Sequence, residues 1–264
     1  MNLGFGGDVP DFYHRYRRGY PREVIDILVG TFGLTSNDIV VDLGCGTGQL
    51  TLPIARRVRA VAGVDPEPDM LARARRAASE QGIGNVSWLL GADPDLPALT
   101  ALLADRQAGA VTIGQALHWM RYGELFPALV PLLRPGGGVA VITNGTPLWL
   151  LDNAWSRALR GFLEQWRGGK LTDACGTDDA SQQRYRDSLA AAGFEVTETS
   201  VEYTGELDLE HLVGGLCSAL PAHRLPPPDQ RSAFAEQVGR ALEPCTRFTE
   251  RVRVRMLLGR ARQT

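Results

Sequence analysis

The sequence predicts a doubly wound α/β fold, and three observations predict it. Short apolar, β-branched runs recur through the first half, at Ile39 to Leu43, Ala60 to Val64, Val86 to Leu90, Ala110 to Ile113 and Gly138 to Thr143. Several are almost wholly apolar, as strands buried on both faces of a parallel sheet are. The gaps between them each leave room for one crossover helix, and carry helical stripes. The second half changes character: Phe194 and Val196, then Val201 and Tyr203, alternate with polar residues, and Val252, Val254, Met256 and Leu258 alternate with arginines. Those two segments read as an antiparallel pair at a sheet edge, completing a seven-stranded, mostly parallel sheet.

In chain order, Val24, Ile25, Leu28, Val29 and Phe32 form a helical stripe after Pro21, a first-turn proline. Asp69 to Ala78 sets Met70, Leu71 and Ala74 opposite arginines. Leu133 to Gly138 reads as a turn that closes a helix and feeds a strand. Residues 144 to 180 hold Trp149, Trp155 and Trp166, then a Gly/Asp-rich stretch. Leu207 to Leu220 and Arg231 to Leu242 read as helices parted by Pro226, Pro227 and Pro228. Ligands of such folds sit at the carboxyl ends of the strands, near the switch in strand order.

At 264 residues the chain suits a single domain with a large core. Its 28 basic and 30 acidic residues give a net charge of −2, which argues against broad binding to nucleic acid or an anionic membrane. Lys170 is the only lysine, so the basic residues are almost all arginine, as in GC-rich genomes. No apolar run reaches the length of a membrane span. Met1 to Phe12 has neither the basic nor the apolar region of a signal peptide. Cys45, Cys175, Cys217 and Cys245 form no C-x-x-C pair and have no histidine at ligand spacing, so no metal site is expected. The expected compartment is a reducing cytoplasm.

The strongest local signal is Val41-Asp42-Leu43-Gly44-Cys45-Gly46-Thr47-Gly48, after a strand and before a helix. Glycines there let the backbone turn tightly and approach a ligand. The spacing is G-x-G-x-G, not the G-x-G-x-x-G of dinucleotide sites. A carboxylate at Asp42 would repel a pyrophosphate but suits a ligand carrying an ammonium or sulfonium. Asp65 ends the next strand, where a carboxylate accepts both hydroxyls of a ribose; it also reads as a turn residue before Pro66. Asp93 follows the third strand, placed to accept from an exocyclic adenine amine while a backbone amide serves the ring. Asp95 competes with it two residues on.

These residues resemble the class I S-adenosylmethionine-dependent methyltransferases. The loop Val41 to Gly48, Asp65, Gly91-Ala92-Asp93 and the turn Leu133 to Gly137 match that family's motifs over about residues 10 to 145. Tyr13 to Pro21 and Gly114-Gln115-Ala116-Leu117-His118-Trp119 are similar to the small-molecule group that includes trans-aconitate methyltransferase. The resemblance implies a Rossmann-like fold, S-adenosyl-L-methionine as cofactor and S-adenosyl-L-homocysteine as product. It implies a cofactor site of Asp42, Gly44, Cys45, Gly46, Gly48, Gln49, Asp65, Pro66, Met70, Ala92, Asp93, Gln115 and Ala116. Tyr13, Arg18 and Tyr20 would cover the cofactor's carboxylate or ribose from an N-terminal arm (residues 1–35) beside a core at 36–145. Helical insertions at 144–180 and 205–245 would cap the substrate, and 247–262 would form the last strand.

Methyl transfer is in-line displacement from a good leaving group, so the protein must mainly align the partners. A base is needed only if the acceptor loses a proton. His118 is the candidate base, with an ordinary pKa near 6.5; it reads equally as a packing partner of Trp119. Trp119, Tyr122 and Trp149 are candidates for an apolar acceptor pocket. The expected reaction is transfer to an O or N atom of a small molecule, plausible in bacterial secondary metabolism, by a monomer or homodimer. Competing readings are an RNA or protein methyltransferase, a nicotinamide dehydrogenase, and a cofactor-binding protein without catalysis. Gly114-Gln115-Ala116-Leu117 lacks the Asn/Asp-Pro-Pro-aromatic signature of base methylation, and the glycine spacing opposes a dehydrogenase.

Overall fold

The computed structural model describes residues 4–103 and 107–262. Seven strands form one sheet: β1 (Ile39–Leu43), β2 (Ala60–Asp65), β3 (Val86–Leu90), β4 (Ala108–Gly114), β5 (Leu133–Asn144), β6 (Phe194–Leu207) and β7 (Phe248–Ala261). Their order is β3-β2-β1-β4-β5-β7-β6. The first five pair in parallel, and β7 runs antiparallel to both of its neighbours. The order reverses between β1 and β4, so a crevice opens outside their carboxyl ends.

Ten helices flank and cap this sheet among the described residues: α1 (Val9–Tyr16), α2 (Arg22–Phe32), α3 (Thr51–Ala55), α4 (Pro68–Glu80), α5 (Leu96–Leu103), α6 (Tyr122–Leu129), α7 (Ala154–Arg167), α8 (Asp179–Ala191), α9 (Leu209–Cys217) and α10 (Arg231–Ala241). Successive strand residues point to opposite faces. Val41, Leu43, Val111, Ile113, Val139 and Val141 therefore pack on Leu125, Phe126 and Leu129 of α6 and Leu189 of α8. Val40, Ala110, Ala140, Ile142 and Met256 pack on Val24, Ile25, Leu28 and Phe32 of α2. Both faces of the central strands are covered, which is why they read as unbroken apolar runs.

A third core lies in the helical layer. Trp155, Leu159 and Leu163 of α7 meet Leu212 and Leu216 of α9 and Phe234 and Val238 of α10. α7 starts where Asn153 accepts from the Ser156 N–H at 2.9 Å, and ends at Gly168, with φ +71°. Asp208 caps α9 through the His211 N–H at 2.8 Å. The N-terminal arm docks on this layer. Tyr16 lies against Gly214, where an added Cβ would stand 2.3 Å from its ring, and its hydroxyl donates to Glu210 at 2.8 Å.

Two boundaries depart from the sequence reading. The expected turn at Leu133 to Gly138 is the start of β5: Leu133 pairs with Ala108, the register shifts, and Gly138 pairs with Ala110. Glycines at 136 to 138 let the strand bulge there rather than break. β6 runs on past Tyr203 to Leu207, so the helix expected from Leu207 begins at Leu209. α8, which follows the first expected insertion, covers the sheet, with Tyr185 and Leu189 in its core.

Candidate functional site

The carboxyl ends of β1, β2 and β4 converge on the glycine loop. The N–H groups of Gly44 and Cys45 both donate to the Val64 carbonyl, at 2.8 and 3.0 Å. Gly44 and Gly46 have φ of +70° and +53°, and a Cβ on Gly44 would stand 2.4 Å from that of Ala116. Only glycine fits there. A cavity of about 440 Å³ opens over this loop and runs under α7 and α9. Volumes of roughly 300–1,000 Å³ are usual for small-molecule sites.

One end of the cavity is lined by Gly44, Cys45, Gly46, Gln49, Asp65, Pro66, Met70, Ala92, Asp93, Gln115 and Ala116, with Tyr13, Arg18 and Tyr20 from the arm and Asp42 below. His118, Trp119 and Trp149 line it too. Two expected residues are elsewhere. Gly48 faces Trp88 and Leu52 and shapes the loop from behind. Tyr122 packs edge-on to Tyr185, with ring centres 5.1 Å apart, in the core beneath α8.

Asp65 is 6% exposed, and its carboxylate accepts from the Gly46 N–H at 2.8 Å and the Glu67 N–H at 3.0 Å. It pins the loop, in line with its reading as a turn residue, and two of its roughly four lone-pair sites are left. Asp42 is 1% exposed and takes the hydroxyls of Thr51 and Thr112, at 2.6 and 2.7 Å. Its first task is to tie β1 to α3 and β4. Burial raises both carboxyls to about 6. A cation entering the cavity favours their charged forms.

The adenine-end reading is revised. Asp95 accepts the Ala92 N–H at 2.9 Å, so that amide is taken. Asp93 lines the cavity and Asp95 does not; Asp93 also accepts from the Arg121 N–H at 3.2 Å. Gln115, at φ +54°, is a brace: its side chain accepts from the Asn144 N–H at 2.8 Å and donates to the Cys175 carbonyl at 3.2 Å.

Arg18 is also revised. Its guanidinium is committed to the buried Glu250, through Nε at 2.9 Å, and to the Asn144 carbonyl at 3.1 Å. Arg17, which sequence reasoning passed over, lines the cavity with its guanidinium 5.2 Å from the Tyr13 ring. No ion pair holds it among the described residues. Arg17 caps the end of α1, its N–H donating to the Tyr13 carbonyl at 3.0 Å, which sets its side chain beside the Tyr13 ring.

His118 stands with its ring 5.0 Å from that of Trp119. Desolvation lowers it to about 4, below the value expected from the free side chain. The imidazole is neutral at pH 7: free to receive a proton, but a weaker base. Asn144 is a second residue missed. Its Nδ2 donates to the Arg18 and Gly19 carbonyls, at 3.4 and 3.0 Å, which fixes the amide's orientation. Its Oδ1 is buried without a donor, and the residue is part of the cavity lining. A polar residue closing an apolar strand was the clue.

A model described as a methyltransferase domain matches residues 40–137. An uncharacterised methyltransferase of Mycobacterium tuberculosis is 38% identical over 144 residues, 54% of this chain and 53% of that protein. The chain spans about half the length of the curated relatives it matches. The solved YcgJ protein of Bacillus subtilis superposes with a TM-score of 0.58 at 14% identity, over 92% of this chain and 100% of that one. The [4+2]-cyclase SpnF does so at 0.54 and 18% identity, over 94% and 85%. At such identities these two likenesses are of fold. The strand order, the glycine loop and the matched model agree on residues 40–137, which are similar to a methyltransferase domain.

Proposed function

We propose that the protein transfers a methyl group from S-adenosylmethionine to an O or N atom of a small molecule. The cavity itself carries this reading: one continuous space joins the glycine loop to a wall of Leu148, Trp149, Leu163, Leu171, Leu207 and Leu216 beneath α7 and α9. The lining fits the cofactor. The loop admits a ligand where a Cβ on Gly44 would collide, and Asp65 has lone pairs left for a ribose diol. Asp93 suits an adenine amine. Arg17, not Arg18, is the cation available to the cofactor's carboxylate, and the carboxylates of Asp42 and Asp65 favour its positive charge.

When bound, the cofactor supplies an electrophilic methyl on a sulfonium leaving group. The chain's own part is to orient and enclose. The arm, tied down at Tyr16 and Arg15 by Glu210, roofs the cavity with α9 and excludes water. His118 is placed to receive a proton from the acceptor. With a value near 4 it suits an acceptor whose proton leaves readily, such as an acidic hydroxyl.

We further propose, from the enclosed apolar end and the arginine-rich composition, a tailoring step in bacterial secondary metabolism. The four cysteines are unbridged, which supports a reducing cytoplasm. No helix among the described residues is long and apolar enough to cross a membrane. Calorimetric titration tests the cofactor site: S-adenosylhomocysteine is expected to bind one to one in the micromolar range. Binding of NAD in its place would refute the reading.

A further inference from the structure

The cavity lining carries charge as well as leucines, and its charges are unevenly engaged. Asp42, Asp65 and Glu67 gather at the glycine loop, Asp93 lies at the expected adenine end, and Glu250 holds Arg18. Asp173 differs from all of these. It stands on the connection between α7 and α8, where Leu171 and Cys175 line the cavity with it. The residue is exposed, and one carboxylate oxygen accepts from the Cys175 N–H at 2.7 Å. Among the described residues no cation pairs with it, so its other oxygen keeps its lone pairs for a ligand. The Asp173 charge reaches inward: it acts on His118, Cys175 and Tyr185. Arg17 opposes it at His118 and Cys175, so the two charges offset each other there. A cofactor carboxylate on Arg17 ends that balance and leaves Asp173 as a net negative charge beside the proposed base. Arg167, the other arginine of the acceptor end, is the exposed last residue of α7. Trp119, 48% exposed and with its ring 5.0 Å from that of His118, adds a π face that a cation can share.

We propose that Asp173 is a specificity-determining residue of the acceptor end, and that it selects acceptors with an apolar body and an ammonium group. This rests on the reading of the cavity as a methyl-transfer site. The leucines supply affinity without direction, and the ammonium, donating to the Asp173 carboxylate, supplies orientation. A neutral group in its place gives up the charge, and a carboxylate meets Asp173 as a like charge.

The test uses three probes of nearly the same shape: 3-phenylpropylamine, 3-phenylpropanol and 3-phenylpropanoate. At pH 7.5 they present an ammonium, a hydroxyl and a carboxylate on one apolar body. The full chain is first titrated with S-adenosylhomocysteine, and then each probe is titrated into the loaded protein and followed by NMR. The amine is expected to bind roughly three- to tenfold more tightly than the alcohol, the yield of a charge-assisted bond that stays in touch with water. The carboxylate should bind most weakly. Asp173→Asn keeps an oxygen for the Cys175 N–H and removes the charge. In that variant the ratio of amine to alcohol should fall to about one, with the affinity for S-adenosylhomocysteine unchanged. Equal binding of amine and alcohol, a preference for the carboxylate, a preference for the amine that survives in Asp173→Asn, or binding of no probe would overturn the inference. Failure of S-adenosylhomocysteine to bind would show in the first titration, and would refute the cofactor reading instead.

Discussion

Replacing Asp65 by asparagine probes the joint on which the site depends. In the native chain both carboxylate oxygens accept backbone N–H groups, from Gly46 at 2.8 Å and Glu67 at 3.0 Å. An amide has one oxygen. Whichever way the substituted side chain turns, its NH₂ opposes one of those donors, so one bond becomes a donor–donor contact and the loop loosens. The lone pairs left for a ribose diol fall at the same time. Hydrogen bonds to a charged group contribute about 1.5–3 kcal/mol each. One lost bond therefore predicts a roughly 10- to 100-fold weaker affinity for S-adenosylhomocysteine. Calorimetric titration reads this directly, with circular dichroism to show that the fold persists. Asp95→Asn is the control, because Asp95 lies outside the cavity; it should change affinity by less than about threefold. An Asp65→Asn protein that binds as the native one does would refute the assignment of Asp65 to the ligand and the loop alike.

The other predictions concern charge and packing. Arg17→Gln should weaken S-adenosylhomocysteine by about tenfold with little change in Tm. Arg18→Gln should instead strand the buried carboxylate of Glu250, a loss of about 3–5 kcal/mol that lowers Tm by roughly 10 °C; equal effects of the two changes would contradict the division of labour. In a His14→Gln, His118→Gln double variant, which removes the two imidazoles whose burial acts in the opposite sense, the ligand-free protein should gain stability as pH falls from 7.5 to 5.5. Asp42 and Asp65 titrate at about 6 in the fold, above the ordinary 3.8, so their favourable contribution is full at low pH and lost as pH rises through 6. A Tm that falls over that interval would refute the burial argument. In NMR titration the His118 ring signals should not move between pH 8 and 5.5, because its pKa is held near 4; a midpoint near 6.5 would restore the stronger base.

The sheet was legible because its strands are short, apolar and buried on both faces, a pattern that survives without tertiary information. That the glycine loop, Asp65 and Asp93 gather at one cavity was legible because each sits at a strand end, where this topology opens its crevice. What escaped the sequence was pairing across the chain. Arg17 and Arg18 are adjacent and alike. Only the fold shows that β7 brings Glu250 to Arg18 and leaves Arg17 facing the cavity. Tyr122 looked like a pocket aromatic because nothing local announces that α8 will cover it. The lowered pKa of His118 also comes from burial, which a single residue's neighbours in sequence do not reveal.

The most direct test of methyl transfer uses S-adenosylmethionine labelled in its methyl group. It is incubated with the pure protein and an extract of a GC-rich bacterium, then separated into fractions below and above a few kilodaltons. Label passing into the small-molecule fraction is the predicted result. Label passing only into RNA or protein would contradict the account.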